Sequence, residues 1–269
     1  MRTKWTVPSL NDRRELSRAA LCDQLRTLGV QPGGVLLVHT SFRAVRPVAD
    51  GPQGLIDALR DVLGPGGTLV MPSWTGSDEE PFDRDITPVS SDLGVVAETF
   101  RRQPGVMRSA HPFAFAAIGP HAASITQGLL PLPPHCPESP VGRAHDLDGQ
   151  VLLLGVDHDA DTSLHLAELL ADVPHRVPKH ITVFEDGVPH RIAYGENDHC
   201  CQRFNLANDW LRDRSLQVEG IVGHAHAKLV RARDVVAVAR EQLARDPLVF
   251  LHPPEAGCDD CDEARRSIT

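Results

Sequence analysis

The sequence predicts an α/β protein with a central, largely parallel β-sheet flanked by helices, together with a small β-hairpin region. Continuous apolar runs at 35–39, 68–72 and 150–155 are typical of strands that are buried on both faces. The first two runs enclose a helical segment, which is the pattern of a βαβ unit. Aromatic residues make up only 4% of the chain, so a core of Leu, Val, Ile and Ala is expected, which suits a sheet covered by helices.

The predicted elements follow one another without a linker. An N-terminal helix has apolar residues at helical spacing from Leu16 to Leu28, with Ser9 or Asn11 as its N-cap and Gly29 at its end. Strand-like residues at 182–184 and 190–193, joined by Asp186 and Gly187, predict a hairpin. Further helices are predicted at 54–63, 93–102, 163–171 and 232–245, and a further strand at 113–118. Because no repeat or low-complexity tract interrupts this series, residues 1–269 are expected to form one domain.

The composition excludes several classes of protein. With 41% hydrophobic and 23% charged residues, the chain is neither disordered nor a collagen or coiled coil. A formal charge of −9 disfavours nucleic acid and anionic membranes as partners and attracts cations. No stretch approaches the roughly 20 apolar residues of a membrane span, and the N-terminus lacks the apolar core of a signal peptide. We therefore expect a cytoplasmic protein with reduced thiols.

Polar residues that could carry chemistry follow the ends of predicted strands. The strand at 150–155 leads into a helix whose first turn contains Ser163 and His165, where free backbone N–H groups and a candidate general base come together. Ligands bind beyond the carboxyl ends of strands in open α/β sheets. Two acidic clusters, at 78–85 and 196–198, lie in loops after other strands. If these loops share one rim, they favour a cationic amine as substrate.

The six cysteines divide into two groups. Cys22 and Cys136 are isolated, whereas His199, Cys200 and Cys201 are adjacent, and Cys258 and Cys261 form a C-x-x-C motif. The second group predicts a structural zinc site with four thiolates, or with three thiolates and an imidazole. Reduced free thiols are the first alternative, and a disulfide or redox function is the second.

Several separated motifs in register resemble the aminoglycoside 3-N-acetyltransferases, and the resemblance covers nearly the full chain. They are LVHTSF at 37–42, RSAHP at 108–112, ESPV at 138–141, LLG at 153–155 and TSLHLAE at 162–168. Within that family, ENDHCC at 196–201 and HPPEAGC at 252–258 resemble the class IV type, which acts on apramycin, gentamicin and tobramycin. The family has its own fold, distinct from the common acetyltransferase fold.

The resemblance implies an antibiotic-resistance enzyme that uses acetyl-CoA as donor and the 3-amino group of a 2-deoxystreptamine ring as acceptor. It implies that His165 is the catalytic histidine. By the same resemblance, the aminoglycoside site contains Asp78, Glu196 and Asp198. The donor site is implied around Ser41, Arg108, Ser109, His111 and Ser163.

The chemistry of such a transfer assigns roles to these residues. An ammonium group is not a nucleophile, so we expect His165 to remove its proton before the amine attacks the thioester. Glu196 is expected to orient His165 or stabilise its charge, and Ser163 with the helix N-terminal amides to stabilise the oxyanion. Direct transfer without an acyl-enzyme is expected, since no cysteine lies beside His165 in the sequence. A zinc-dependent hydrolase and a non-catalytic binder of polycations are the alternative functions.

Overall fold

The computed structural model describes residues 13–75, 77, 79–128, 130–185 and 187–268, and it has the predicted mixed α/β architecture. A seven-stranded sheet with the order β3-β4-β2-β1-β5-β9-β8 forms the centre, and β6 and β7 form a separate two-stranded sheet. The strands are β1 Val35–Thr40, β2 Thr68–Pro72, β3 Met107–Arg108, β4 Phe115–Ile118, β5 Gln150–Leu154, β6 Val177–Glu185, β7 Val188–Glu196, β8 Gln217–Val222 and β9 Ala225–Arg231.

Parallel pairing is confined to the three central strands of the large sheet. Strand β1 pairs in parallel with β2, with Val35 opposite Thr68, and with β5, with Leu36 opposite Gln150. Strands β4 and β9 pair antiparallel with the outer sides of β2 and β5. The sheet is therefore mixed, and the prediction of a largely parallel sheet holds only for its centre. Short connections such as the turn at Gly223 between β8 and β9 join only antiparallel neighbours.

Helices cover both faces of the sheet. Alternate residues of β1 point to opposite faces, so Leu36 and Val38 join one hydrophobic cluster and Val35 and Leu37 the other. The helices are α1 Arg18–Leu28, α2 Phe42–Val45, α3 Gly51–Leu63, α4 Gly94–Arg101, α5 Ala122–Thr126, α6 Pro140–Asp146, α7 Ser163–Leu170, α8 Ala207–Asp213, α9 Ala232–Leu243 and α10 Asp259–Arg266. Helices α1, α3 and α4 pack on the first cluster, and α5 to α9 on the second.

The N-terminal helix α1 begins later than its apolar pattern suggested. Ser17 is the N-cap, and its hydroxyl accepts a hydrogen bond from the backbone N–H of Ala20 at 3.2 Å. Gly29 ends the helix as predicted, in the left-handed conformation with φ of 105°. The two caps considered from the sequence, Ser9 and Asn11, lie outside the described residues.

The predicted hairpin is confirmed and is longer than its sequence signal. Strands β6 and β7 are nine residues each and pair from Val177 opposite Glu196 to Glu185 opposite Val188. A parallel bridge between Phe82 and Val183 connects the hairpin to the loop that follows β2. The hairpin thereby holds two acidic loops near the carboxyl edge of the central strands.

None of the helices in the described ranges has the length and apolar character that crossing a bilayer requires.

Replacement of Leu152 by Ala tests the packing of β5, one of the three central strands. Leu152 on β5 is fully buried in the first cluster, so the cavity left behind is expected to lower the free energy of unfolding by about 2–5 kcal/mol. Leu147→Ala is the matched control, because Leu147 is 38% exposed and its truncation is expected to change the free energy by less than about 0.5 kcal/mol. Urea denaturation followed by circular dichroism measures both. Equal losses in the two variants would contradict the proposed core.

Candidate active site

A cavity of about 280 Å³ lies at the carboxyl ends of the three parallel strands. Thr40 and Pro72 line it from the ends of β1 and β2, and Val156 lines it just beyond β5. Its other walls are largely apolar and include Met71, Trp74, Leu93, Ala97 and Phe113. The carboxyl edge of parallel strands is where open α/β sheets bind ligands, so this cavity is the site that the sequence argument anticipated.

The chain turns sharply from β5 into the helix that carries His165. Gly155 adopts φ of 72°, and a Cβ atom there would lie 2.6 Å from the Cβ of Ala44, so the turn requires glycine. The buried carboxylate of Asp161 then accepts a hydrogen bond from the backbone N–H of Ser163 at 3.0 Å, which satisfies a donor in the first turn of α7. His165 follows on this turn and lines the cavity.

A buried carboxylate links two imidazoles behind the cavity. Glu168 lies one helical turn after His165, with Oε2 3.4 Å from Nδ1 of that histidine. Its other oxygen, Oε1, lies 2.8 Å from Nε2 of His199. The side chain of Glu168 is 1% exposed and that of His165 is 19% exposed, so the pair is shielded from water while the histidine still reaches the cavity. The sequence predicted Glu196 in the orienting role, but the carboxylate that lies 3.4 Å from the ring is that of Glu168.

The charges of this cluster stabilise one another. Burial by itself would raise the pKa of Glu168, but the charge of His199, the hydrogen bond with that ring and the nearby His165 imidazole hold that pKa at about 2. Burial by itself would lower the pKa of His165, but Cys201 and Glu168 outweigh it and raise that pKa well above its ordinary value. The carboxylate of Glu168 and the cationic form of His165 therefore stabilise each other.

Cys201 lies against the same histidine from the other side. Its Sγ is 3.5 Å from Nε2 of His165, and both residues line the cavity. The sequence gave no sign of this contact because the two residues are 36 positions apart. Direct transfer was expected because no cysteine lies beside His165 in the sequence, and the tertiary structure places Cys201 beside it in space.

The ring nitrogens of a second histidine in the cavity wall make no hydrogen bond to the part of the chain that the structure describes. His135 stacks on His165 with ring centroids 5.1 Å apart and an interplanar angle of 17°. The residue is buried, and neither nitrogen makes a hydrogen bond within the described part of the chain. Burial lowers its pKa well below the ordinary value, so the ring is neutral. His135 is thus a neutral imidazole in the cavity wall that can hydrogen-bond to a ligand.

Of the three predicted acidic residues, Glu196 and Asp198 lie near the cluster of His165 and Glu168. Burial raises the pKa of Glu196 to about 7; the charge of nearby His165 opposes this rise and Asp198 adds to it. Tyr194 donates a hydrogen bond to Glu196 at 3.1 Å, and Asp198 forms an ion pair with Lys179. Asp78 lies outside the described residues. Two exposed carboxylates that the sequence did not single out as substrate ligands, Asp92 and Asp159, line the cavity itself.

Most of the residues implied for the donor site make hydrogen bonds within the protein. Arg108 is buried and donates to the backbone carbonyls of Ser73 and Arg84, with its guanidinium 4.7 Å from the centre of the Phe82 ring. Ser109 and His111 are buried and accept hydrogen bonds from backbone N–H groups of their own loop. These three residues shape the loop before β4 and do not line the cavity.

Ser163 and Ser41 differ in their access to a ligand. Ser163 is fully buried and its backbone N–H donates to Asp161, but its hydroxyl makes no hydrogen bond to the described residues, so its role in the oxyanion and donor sites stays a prediction. Ser41, at the start of α2, lines an open groove that continues from the cavity. Of the predicted donor residues, Ser41 is therefore the one placed on an accessible surface.

The residues predicted to bind zinc fall into two groups: the thiols of Cys200, Cys258 and Cys261 lie against one another, and His199 and Cys201 lie apart from them. Cys201 faces His165 and His199 bonds to Glu168, whereas Cys200, Cys258 and Cys261 lie in a separate apolar cluster with Val177 and Leu251. Within the described residues, the potential metal ligands that do converge are Glu168, His175 and His199, without a thiolate. The zinc prediction is therefore not supported, and all six cysteines are free thiols.

His165 lies against the buried carboxylate of Glu168 and lines a cavity that also contains acidic residues. Such a site is suited to proton transfer from a cationic group. The family model described as aminoglycoside 3-N-acetyltransferase matches residues 37–244 of the chain. The chain belongs to this family, and it is an acyltransferase.

Individual relatives agree with this assignment over most of their length. The chain is 66% identical over 243 residues to aminoglycoside N(3)-acetyltransferase IV of a Salmonella species, covering 90% of this chain and 93% of the relative. A histidine-to-alanine mutant of aminoglycoside acetyltransferase AAC(3)-IVa in complex with a gentamicin is 65% identical, with a TM-score of 0.94 over 95% of this chain and 99% of that one. The mutant's complex with apramycin has a TM-score of 0.87 at 62% identity, covering 93% and 99%. AAC-IIIb with CoASH has a TM-score of 0.79 at 28% identity, covering 86% and 97%.

Substitution of Glu168 by Gln tests the coupling between this carboxylate and His165. Removing the negative charge is expected to move the titration of the His165 ring to lower pH, because the cationic imidazole loses its partner. Histidine ring resonances followed by NMR across a pH series measure the change. Glu255→Gln is the control, since Glu255 is exposed on the C-terminal tail. An unchanged His165 titration in Glu168→Gln would show that the carboxylate does not support the ring.

Proposed function

We propose that this protein transfers the acetyl group of acetyl-CoA to the 3-amino group of 2-deoxystreptamine aminoglycosides, and so confers resistance to them in the cytoplasm. The observation that carries the proposal is the pair of His165 and Glu168 at the edge of the cavity. Its supporting evidence is the family membership and the relative of 62–65% identity whose complexes contain a gentamicin and apramycin. Substrates of the class IV type, including tobramycin, are therefore the ones we expect.

His165 is proposed as the general base. Its Nδ1 faces the Glu168 carboxylate, which leaves Nε2 as the atom directed at an incoming ammonium group. Once the imidazole is neutral, it takes a proton from the ammonium, and the free amine attacks the thioester carbonyl. The carbon–sulfur bond of the thioester then breaks, the departing CoA thiolate takes up the proton that the amine nitrogen loses, and His165 returns its own proton to solvent. The amine receives the acetyl group directly while both substrates are bound.

Carboxylates near the cavity account for binding of a polycation. Asp92 and Asp159 lie in the cavity wall, and Glu196 and Asp198 lie at and just after the end of strand β7. Ammonium groups make charge-assisted hydrogen bonds to carboxylates, which are stronger than neutral ones. Several such bonds at once favour a substrate with several amino groups, and added salt is expected to weaken its binding.

The donor is proposed to lie in the groove beside the cavity. This groove is lined by Ser41, Phe42, Arg43 and Arg46 on one side and by 92–96 on the other. It shares Thr40 and Val156 with the cavity, so a long molecule in the groove can place its reactive end near His165. The two exposed arginines are suited to the phosphates of CoA. A family member with bound CoASH supports the choice of donor.

A thiol-release assay tests the function directly. The protein is mixed with acetyl-CoA and each of several aminoglycosides, and free CoA thiol is followed with a chromogenic disulfide. Rapid release that depends on apramycin or gentamicin is expected, with a 3-N-acetyl product identified by NMR. Binding of the antibiotics without thiol release would instead indicate a non-catalytic binder, and rapid loss of activity on chelation would indicate a metallohydrolase.

Replacement of His165 by Ala is expected to reduce kcat by on the order of 10²–10⁴-fold, which is the usual contribution of a positioned general base. Binding of the aminoglycoside is expected to change little, because the charged groups that attract it remain. Steady-state kinetics and calorimetric titration measure the two quantities. His190→Ala serves as the control, since His190 is exposed on the hairpin. Near-normal turnover in His165→Ala would remove this residue from the mechanism.

The pKa of Glu196, raised by burial to about 7, predicts that aminoglycoside affinity depends on pH. Below this pKa the carboxyl group is neutral, and above it the carboxylate attracts an ammonium group, so affinity is expected to rise as the pH passes through about 7. In Glu196→Gln this rise is expected to be lost, whereas Glu255→Gln should retain it. Calorimetric titration on both sides of neutral pH provides the comparison. A wild-type profile reproduced by Glu196→Gln would place Glu196 outside the binding site.

A further inference from the structure

Cys201 completes an arrangement that the proposed direct transfer does not use. Its Sγ lies 3.5 Å from Nε2 of His165, and Oε2 of Glu168 lies 3.4 Å from Nδ1 on the opposite side of the ring. A thiol, an imidazole and a carboxylate in this order form the constellation with which enzymes attack acyl groups. His165 and Glu168 lie one turn apart on α7, and the sequence alone does not place Cys201 with them.

The orientation of the imidazole favours proton transfer from the thiol. A carboxylate at Nδ1 keeps a proton on that nitrogen, so Nε2 is the atom that accepts the proton of Cys201. The thiol also donates a hydrogen bond to the backbone carbonyl oxygen of His199 at 3.5 Å, so its proton has two acceptors in reach, that oxygen and Nε2 of His165. Because a thiolate is the reactive form of cysteine, this contact prepares the sulfur as a nucleophile.

The cavity also offers a group for the oxygen of an acyl ligand. His135, in the same wall, is buried and neutral, and both of its ring nitrogens are without a partner among the described residues. An N–H donor in an apolar wall can stabilise the negative oxygen that develops when a carbonyl is attacked. Cys201, His165 and His135 therefore surround one volume that is large enough for an acyl group.

We propose that Cys201 is an acyl acceptor, which takes the acetyl group of an acyl thioester when no amine occupies the cavity. His165 accepts the thiol proton, and the Cys201 sulfur forms a bond to the carbonyl carbon. The bond from that carbon to the CoA sulfur breaks, and the departing CoA thiolate takes the proton from His165. The products are S-acetyl-Cys201 and CoA thiol, so atoms and electrons balance without another reactant. This inference rests on the proposed donor, acetyl-CoA.

The acetylated thiol has two fates, both consistent with the chemistry of thioesters. Water can hydrolyse it slowly, which gives a low rate of CoA release in the absence of antibiotic. An amine that enters later can also attack it and regenerate the thiol. The main transfer to a bound amine does not pass through this adduct, since the amine competes with Cys201 for the same imidazole nitrogen.

Mass spectrometry of the wild-type protein tests the proposal. The protein is incubated with acetyl-CoA alone, quenched in acid and digested, and each cysteine peptide is examined for an acetyl group. We expect the adduct on Cys201 and a slow release of CoA thiol that accompanies it. Addition of apramycin after excess acetyl-CoA has been removed is expected to clear the adduct.

Variants separate a specific reaction from general thiol chemistry. Cys201→Ala and Cys201→Ser are both expected to abolish the adduct and the slow thiol release, and the second nearly preserves the volume of the side chain. Cys200→Ala is the matched control, because Cys200 packs in the separate cluster around Val177 and should leave the Cys201 adduct intact. His165→Ala is expected to slow adduct formation by on the order of 100-fold.

The outcomes distinguish this inference from the proposed function. If apramycin is acetylated but Cys201 carries no acetyl group, and the slow thiol release is unchanged in Cys201→Ala, the acyl-acceptor role is overturned and the transferase function stands. An adduct spread equally over several cysteines would also overturn it. If neither apramycin nor any other aminoglycoside is acetylated, the proposed function fails by itself, whatever happens at Cys201.

Discussion

The carboxylate of Glu168 is the group on which the rest of the site depends. It is buried and contacts Nδ1 of His165 with one oxygen and Nε2 of His199 with the other. A carboxylate in such surroundings is costly unless its partners are fully engaged, and removing one partner of a buried charged pair typically costs about 3–5 kcal/mol. The same contacts fix the tautomer and the direction of His165. The geometry that stabilises the charge is therefore also the geometry that directs Nε2 into the cavity.

The position of this cluster follows from the topology of the sheet. Within the described part of the large sheet, the strands that pair in parallel are β1, β2 and β5, and their carboxyl ends therefore lie side by side. The connection from β5 turns at Gly155 and enters α7, which brings His165 to this edge. The hairpin of β6 and β7 approaches the same edge and ends at Glu196, just before His199 and Cys201. One helix and one hairpin thus supply the groups that face each other across the cavity.

Part of the negative charge of the chain lies at and near the cavity. Carboxylates at the cavity and after β7 are placed where a polycation would bind, whereas many other acidic residues form ion pairs on the surface, such as Asp61 with Arg18. Glu196 differs from the exposed carboxylates because burial raises its pKa to about 7. Charge alone indicated only that cations are attracted, and burial decides which carboxylate responds to pH near neutrality.

Local sequence patterns predicted the α/β class, the buried strands β1, β2 and β5, the hairpin, and His165 at the start of a helix beyond a strand. These features are local, since apolar runs, turn residues and family motifs are read from neighbouring positions. Strands β8 and β9 were missed because small, polar and charged residues interrupt their apolar positions, so neither contains a continuous apolar run. The roles of Glu168, His135 and Cys201, and the burial that removes Arg108, Ser109, His111 and Ser163 from the cavity, were decided only by the tertiary structure. Contacts between ring nitrogens, carboxylate oxygens and sulfur depend on how separate loops pack at one edge of the sheet, and no spacing along the chain records that packing.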